Sequence, residues 1–169
     1  MNNISKIESN GNAHLFFKLI NNPVKFRVFL LKNLPSAFFS GVKIRHASEE
    51  RCSVSVPYKW FSTNPFRSTY FACLSMAAEM STGVLAMAHI HGLFPKVSLL
   101  VIKVEGHFHK KATGITLFTC NEGVRIRDAV QAAYLSGESQ QISIETIGKN
   151  NEGEMVADFI ITWSFKRKS

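Results

Sequence analysis

Residues 64–91 read NPFRSTYFACLSMAAEMSTGVLAMAHIH, and the way this stretch folds decides how the rest must fold. It is the longest candidate helix in the chain. Phe71, Leu74, Met76, Met80, Val84, Leu85 and Met87 put apolar side chains on nearly every side of it. A helix that is apolar all round lies in a large core or spans a membrane. Ser68 or Thr69 is expected to cap its start, because a short hydroxyl accepts from the free N–H groups of the first turn. Gly92 and then Pro95 are expected to stop it, which gives a helix over 68–91. Glu79 stands near its middle. The neighbours one turn away are Ser75, Met76, Thr82 and Gly83, so no Lys or Arg is at hand. A buried carboxylate without a partner is costly unless it takes a proton. That cost makes Glu79 the first functional candidate. The plainer reading is a core acid bonded to a Ser, Thr or Tyr across the fold. Glu79, with Ser75, Ser81, Thr82, Gly83 and His89, also argues against a membrane span, so no transmembrane segment is expected.

Upstream, Asn12 is expected to cap a short helix over 13–20, and Pro23 to open a second one that ends at Asn33-Leu34-Pro35. The second carries Val24, Phe26, Val28, Phe29, Leu30 and Leu31 with Lys25, Arg27 and Lys32 among them. Such a cationic helix either lies on a membrane surface or packs its apolar face on the domain, and packing is the expectation. From Phe39 the period becomes two-fold. Val42, Ile44 and His46 form one run and Cys52, Val54 and Val56 another, with a turn at Ser48-Glu49-Glu50. Beyond the central helix, Ile102 to Phe108 and Ile115 to Thr119 alternate again, and Lys110-Lys111 is expected to turn between them as a hairpin. Val124 to Leu135 reads as a short helix stopped by Gly137. Two strands close the chain, near 141–147 and 155–166. In the last, Met155, Ala157, Phe159, Ile161, Trp163 and Phe165 fall on one face.

The chain has 169 residues, which suits one domain with a real core. Its net charge is +8 and its pI about 9.6, part of the excess being Lys166, Arg167 and Lys168. A basic balance favours anionic partners. No basic stripe interleaved with aromatics is present, and no helix-turn-helix or zinc-finger spacing, so no nucleic-acid partner is expected. Cys52, Cys73 and Cys120 are an odd, scattered set, which reads as buried free thiols in a reducing compartment. The polar start MNNISKIESNGN has no apolar core of a signal peptide, and a cytoplasmic protein is expected. His107 and His109 share a strand face with Lys103 and Glu105, which looks solvated. His89 and His91 end the long helix, where a cation suits the dipole. No metal site is expected from either pair.

One antiparallel sheet has to wrap the long helix, because nothing else in this order of elements can cover it. An α+β chain of this kind resembles the hotdog fold, a curved antiparallel sheet around one long central helix, here with N-terminal helices. Residues 1–169 are read as a single hotdog domain, with an N-terminal helical segment over 1–35 and the core over 36–169. Small hotdog thioesterases carry Asn, then His-Gly-Gly about six residues on, then an acid near the helix middle. Asn64, Tyr70-Phe71-Ala72 and Glu79 keep that spacing, although Tyr70-Phe71-Ala72 stands in place of His-Gly-Gly. The chain looks like a divergent branch of the acyl-CoA thioesterase group.

The resemblance implies a chemistry. Backbone N–H groups of Phe71 and Ala72 would form an oxyanion hole. Glu79 would act as general base or nucleophile, and Asn64 would orient the water or the carbonyl. Tyr70, Thr82 and Gly83 would contact substrate. Lys110 and Lys111 would meet the phosphates of coenzyme A, which enters as part of the substrate and not as a cofactor; the plainer reading of the two lysines is a solvated turn. The resemblance also implies a homodimer or tetramer with its active sites at the seam between chains. Hotdog hydratases carry Asp-x-Asn-Pro-x-His. In Ser62-Thr63-Asn64-Pro65-Phe66-Arg67 both proton-moving groups are replaced, which excludes that chemistry. The alternative to a thioesterase is a non-catalytic hotdog module that binds an acyl group or only dimerises.

Overall fold

The computed structural model describes residues 10–168, with side chains from Ala13 onward; most of the polar start, residues 1–9, and residue 169 lie outside the described residues. The helices α1 (Asn10–Ile20), α2 (Pro23–Asn33) and α3 (Pro35–Ser40) lead into the strands β1 (Lys43–Ala47) and β2 (Cys52–Pro57). A 3₁₀ turn over Trp60–Ser62 and a loop precede the central helix α4 (Phe71–Ile90). Then come β3 (Val97–Phe108), β4 (Ile115–Cys120), α5 (Gly123–Ser136), β5 (Gln140–Lys149) and β6 (Met155–Arg167). The six strands form one antiparallel sheet in the order β1-β2-β4-β5-β6-β3. The helix α4 touches all six of them, which is what wrapping means in contacts.

The expected core helix is therefore present, long and apolar enough to cross a membrane by composition, and mostly buried in the sheet. Leu85, Ala77, Ala78 and Ala86 are fully covered. Opposite them stand Phe118, Phe159, Ile161 and Phe165 from the sheet. Each large side chain of this kind contributes roughly 1.5–3 kcal/mol by leaving water. The polar residues of α4 are satisfied across the core. Ser81 Oγ and Thr146 Oγ1 stand 2.7 Å apart, and Trp163 Nε1 donates to Thr82 Oγ1 at 2.9 Å. These bonds allow small polar residues to sit in a buried helix without cost.

Several sequence expectations need correction. The helix begins at Phe71, with Tyr70 as its uncapped N-cap residue. Ser68 and Thr69 do not cap it. The Ser68 hydroxyl bonds Asn64, and Thr69 Oγ1 donates to Ala112 O at 3.1 Å. Asn12 lies inside α1, not at its cap. Residues 35–40 are helical, so the helical segment runs beyond 35 and ends at Gly41, whose φ of 78° is the left-handed conformation glycine adopts freely. Lys110-Lys111 is no hairpin turn. β3 pairs with β6 at one edge of the sheet, whereas β4 lies between β2 and β5, so residues 109–114 cross between distant strands. His89 is held against Glu49 O at 3.2 Å, and burial pushes its pKa down, which disfavours the expected cation there. The three cysteines are free and buried, as read from the sequence. Cys52 and Cys120 face each other in the β2–β4 register, and burial pushes the Cys120 thiol up to about 12. The helix α2 packs on the domain with Phe26 and Leu30 buried; Val24, Val28 and Leu31 stay outside.

Candidate active site

The chain reaches α4 through a loop that Asn64 organises. Its Oδ1 accepts from the backbone N–H groups of Phe66 (3.0 Å) and Ser68 (3.2 Å), and its Nδ2 donates to Ser68 Oγ at 3.1 Å. Such side-chain-to-backbone bonds are how asparagine holds a turn. Inside it Arg67 takes a φ of 57°, a left-handed conformation that non-glycine residues seldom adopt. Tyr70 N then donates to Ser62 O at 2.7 Å and fixes the direction in which the helix leaves. The next two N–H groups, of Phe71 and Ala72, precede any intrahelical acceptor and have no partner among the described residues.

Beside this helix start lies a cleft of about 610 Å³. Asn64, Tyr70, Phe71, Lys110 and Lys111 all line it, so five of the residues singled out in the sequence come together. The crossover after β3 replaces the expected hairpin, yet it still delivers the two lysines here. Lys110 Nζ is engaged with Glu154 Oε1 at 2.6 Å, and Lys111 Nζ lies 3.4 Å from Phe66 O. Phe66, Phe108 and His109 also line the cleft, a placement that reading the sequence missed. The signal was an aromatic at an exposed strand end. Phe108 meets Phe71 with ring centroids 6.5 Å apart and Phe159 at 5.6 Å, both edge to face, so a series of aromatics leads from the cleft into the core. Nearby, Asp158 accepts from His107 Nδ1 (2.9 Å) and His109 Nε2 (2.5 Å). Desolvation raises the Asp158 pKa, but these bonds and the histidine charges outweigh it and hold the carboxyl below its usual range.

Glu79 is not in this cleft. It is half-buried two turns along α4, and its carboxylate makes no hydrogen bond and pairs with no cation among the described residues. No side-chain polar atom there is both fully buried and unpartnered, so its oxygens keep some contact with solvent. Desolvation pushes its pKa above the ordinary carboxylate value. A Cβ on Gly83 would come within 3.0 Å of Glu79 Oε1 and 3.3 Å of the Trp163 ring, so a side chain here would press on both. Trp163 belongs to β6, so the Glu79 carboxylate lies on the side of the helix that faces this strand. Thr82 is fully buried, with its hydroxyl held between Trp163 and Glu79 O, and Gly83 is buried beside it; neither stands at the cleft. Among the described residues no cluster of His, Cys, Asp or Glu has the geometry of a metal site.

Solved structures share this fold. A protein of unknown function from Pseudomonas aeruginosa, described as a probable thioesterase, is similar over 86% of this chain and 97% of its own, with a TM-score of 0.72 and 19% identity. A protein of unknown function from Chlorobaculum tepidum covers 86% of this chain and 97% of its own, with a TM-score of 0.71 and 14% identity. The thioesterase HI1161 from Haemophilus influenzae covers 85% and 90%, with a TM-score of 0.61 and 11% identity. Identities this low speak for the fold alone, and the fold is the thioesterase-like hotdog. No curated protein sequence matches the chain. Residues 26–165 match the domain of unknown function DUF4442, and with most of its length inside that match the chain belongs to this family.

Proposed function

We propose that this chain is one subunit of a thioesterase that hydrolyses an acyl-CoA or a related thioester. The observation that carries the reading is the pair of unpartnered N–H groups of Phe71 and Ala72, at the positive end of a 20-residue helix and beside the aromatic cleft. Attack on a thioester carbonyl turns its oxygen into an anion, and two such donors with the helix dipole behind them stabilise it. Any residue supplies an N–H, so the absence of His-Gly-Gly does not remove the donors. The apolar wall of Phe66, Tyr70, Phe71 and Phe108 suits an acyl chain, and Lys111 at the rim suits a phosphate.

Glu79 is the proposed general base. It takes a proton from water as the oxygen bonds to the carbonyl carbon. It returns that proton to the thiolate as the C–S bond breaks, which yields a carboxylic acid and a thiol. One chain does not suffice for this. At about 1.5 Å per residue Glu79 stands roughly 10 Å beyond Ala72 along the axis. Base, water and carbonyl must lie within about 3 Å of one another in turn. The N–H groups of one chain therefore need Glu79 from a second copy, and a homodimer belongs to the proposal. A panel of acyl-CoA thioesters assayed with wild type and Glu79→Gln tests it. The variant should keep fold and oligomeric state while kcat falls by about two orders of magnitude or more. Binding of acyl-CoA without turnover by the wild type would instead support a non-catalytic acyl-binding module.

A further inference from the structure

At the sheet edge opposite β3, between α2 and β1, lies a cavity of about 570 Å³. Four cations line it, Arg27, Lys43, Arg45 and Lys59, over an apolar floor that includes Phe26 and Pro57. None of the four pairs with a carboxylate among the described residues. Arg45 Nε donates to Ser55 Oγ at 2.7 Å, and Arg27 donates to Phe38 O at 3.3 Å. The segment of chain that supplies most of the lining is one-signed. Between Ser9 and Ser48 the sequence holds Lys18, Lys25, Arg27, Lys32, Lys43 and Arg45 and not one Asp or Glu.

An apolar rim adjoins the cations. Val24, Val28 and Leu31 lie one helical turn apart on the outer face of α2, and all three are exposed. Arg27, the next position round the helix, stacks on Phe38 at 3.9 Å. From there Phe38 meets Phe39 (5.3 Å), Phe39 meets Phe61 (5.6 Å) and Phe61 meets Trp60 (6.1 Å), ring by ring. Trp60, at the end of the series, is 88% exposed. Apolar and aromatic side chains around a cluster of unpaired cations match the two layers of an anionic bilayer surface, phosphate outside and acyl chains beneath.

We propose that this face docks on an anionic phospholipid membrane, with headgroup phosphate in the cationic cavity and Val28, Leu31 and Trp60 in the acyl boundary. The proposal does not rest on the thioesterase reading, whose cleft lies at the other end of the loop that follows Trp60. The chain holds only two tryptophans, and the other, Trp163, is 2% exposed, so a change in emission on docking reports Trp60. The test mixes the full chain with vesicles of phosphatidylcholine, or of equal parts phosphatidylcholine and phosphatidylglycerol. The protein should sediment with the anionic vesicles only, with Trp60 emission shifted to the blue and the binding weakened by salt. Lys43→Glu/Arg45→Glu should weaken binding about tenfold or more, whereas Lys149→Glu/Lys166→Glu, the same charge change elsewhere, should not. Trp60→Ser should abolish the blue shift. Equal binding to both vesicles, or to neither, would overturn the proposal. So would a blue shift that depends on protein concentration without vesicles, which would make the face an interface between copies of this chain.

Discussion

Glu79 is an acid held where its charge is disfavoured. Its protonated form is favoured by the fold, because burial raises its pKa and nothing nearby lowers it. The stability this gives is fully present below the unfolded pKa and is lost as pH rises through the higher folded pKa. Glu79→Gln has no such loss. At acid pH wild type and variant should melt alike, and at neutral pH the variant should melt a few degrees higher. Thermal melts across the carboxylate range check this, and a variant that melts lower at neutral pH would mean the ionised form has a partner after all. Higher Tm with lower kcat in the same variant is the pattern expected of an acid kept for chemistry at a cost in stability. At this scale the sequence was informative about Glu79, since its neighbours at i±3 and i±4 are neutral and an all-round apolar helix must bury them. It was silent on Asn64 and Thr82. Both carry polar groups that suit a substrate equally well in one dimension, and only the folded chain brings Ser68 and Trp163 to engage them.

At the scale of the element, the loop before α4 rests on a single side chain. Asn64→Ala removes the acceptor for two backbone N–H groups and leaves Arg67 in its left-handed conformation with less to hold it. The expected loss is about 1–3 kcal/mol, read from denaturant unfolding. Asn64→Asp, which keeps the acceptor, should recover most of it. If Asn64 serves only the reaction, both variants should be as stable as wild type. The elements themselves were largely legible. Alternation gave the strands, and glycine at 137 ended α5 where expected. Residues 35–40 were misread because Phe38 and Phe39 with small neighbours look the same at the start of a strand and in a one-turn helix. The cap at Ser68 or Thr69 failed for a related reason, as Ala112 O, more than forty residues away, outbids the helix for the Thr69 hydroxyl.

At the scale of the molecule, alternation reveals that a strand exists but not which strand lies beside it. The sequence thus placed β3 against β4, whereas the sheet puts β3 at its far edge. That edge is twelve residues long, and Leu100, Ile102, Val104 and Phe108 on it are exposed. A bare edge of this length invites pairing with another strand. Light scattering at micromolar concentration should show at least a dimer, and Ile102→Lys/Val104→Lys should shift it toward monomer. A monomeric wild type would remove the two-chain active site with it.

The position of β3 also has a consequence in time. Val97 pairs with Arg167 and Phe108 with Ala157, so partners stand roughly fifty to seventy residues apart in the chain. During synthesis β3 leaves the ribosome long before the strand that will hold it, and at about 5–20 residues per second the wait is roughly 2–14 s. For that interval Leu99, Leu100, Val101 and Ile102 have no partner strand, and loop closure over so many residues keeps the pairing slow even once β6 arrives. The last strand to be made is the one that shelters the most exposed, and any pause in translation between them lengthens the time the nascent chain spends with a sticky edge uncovered.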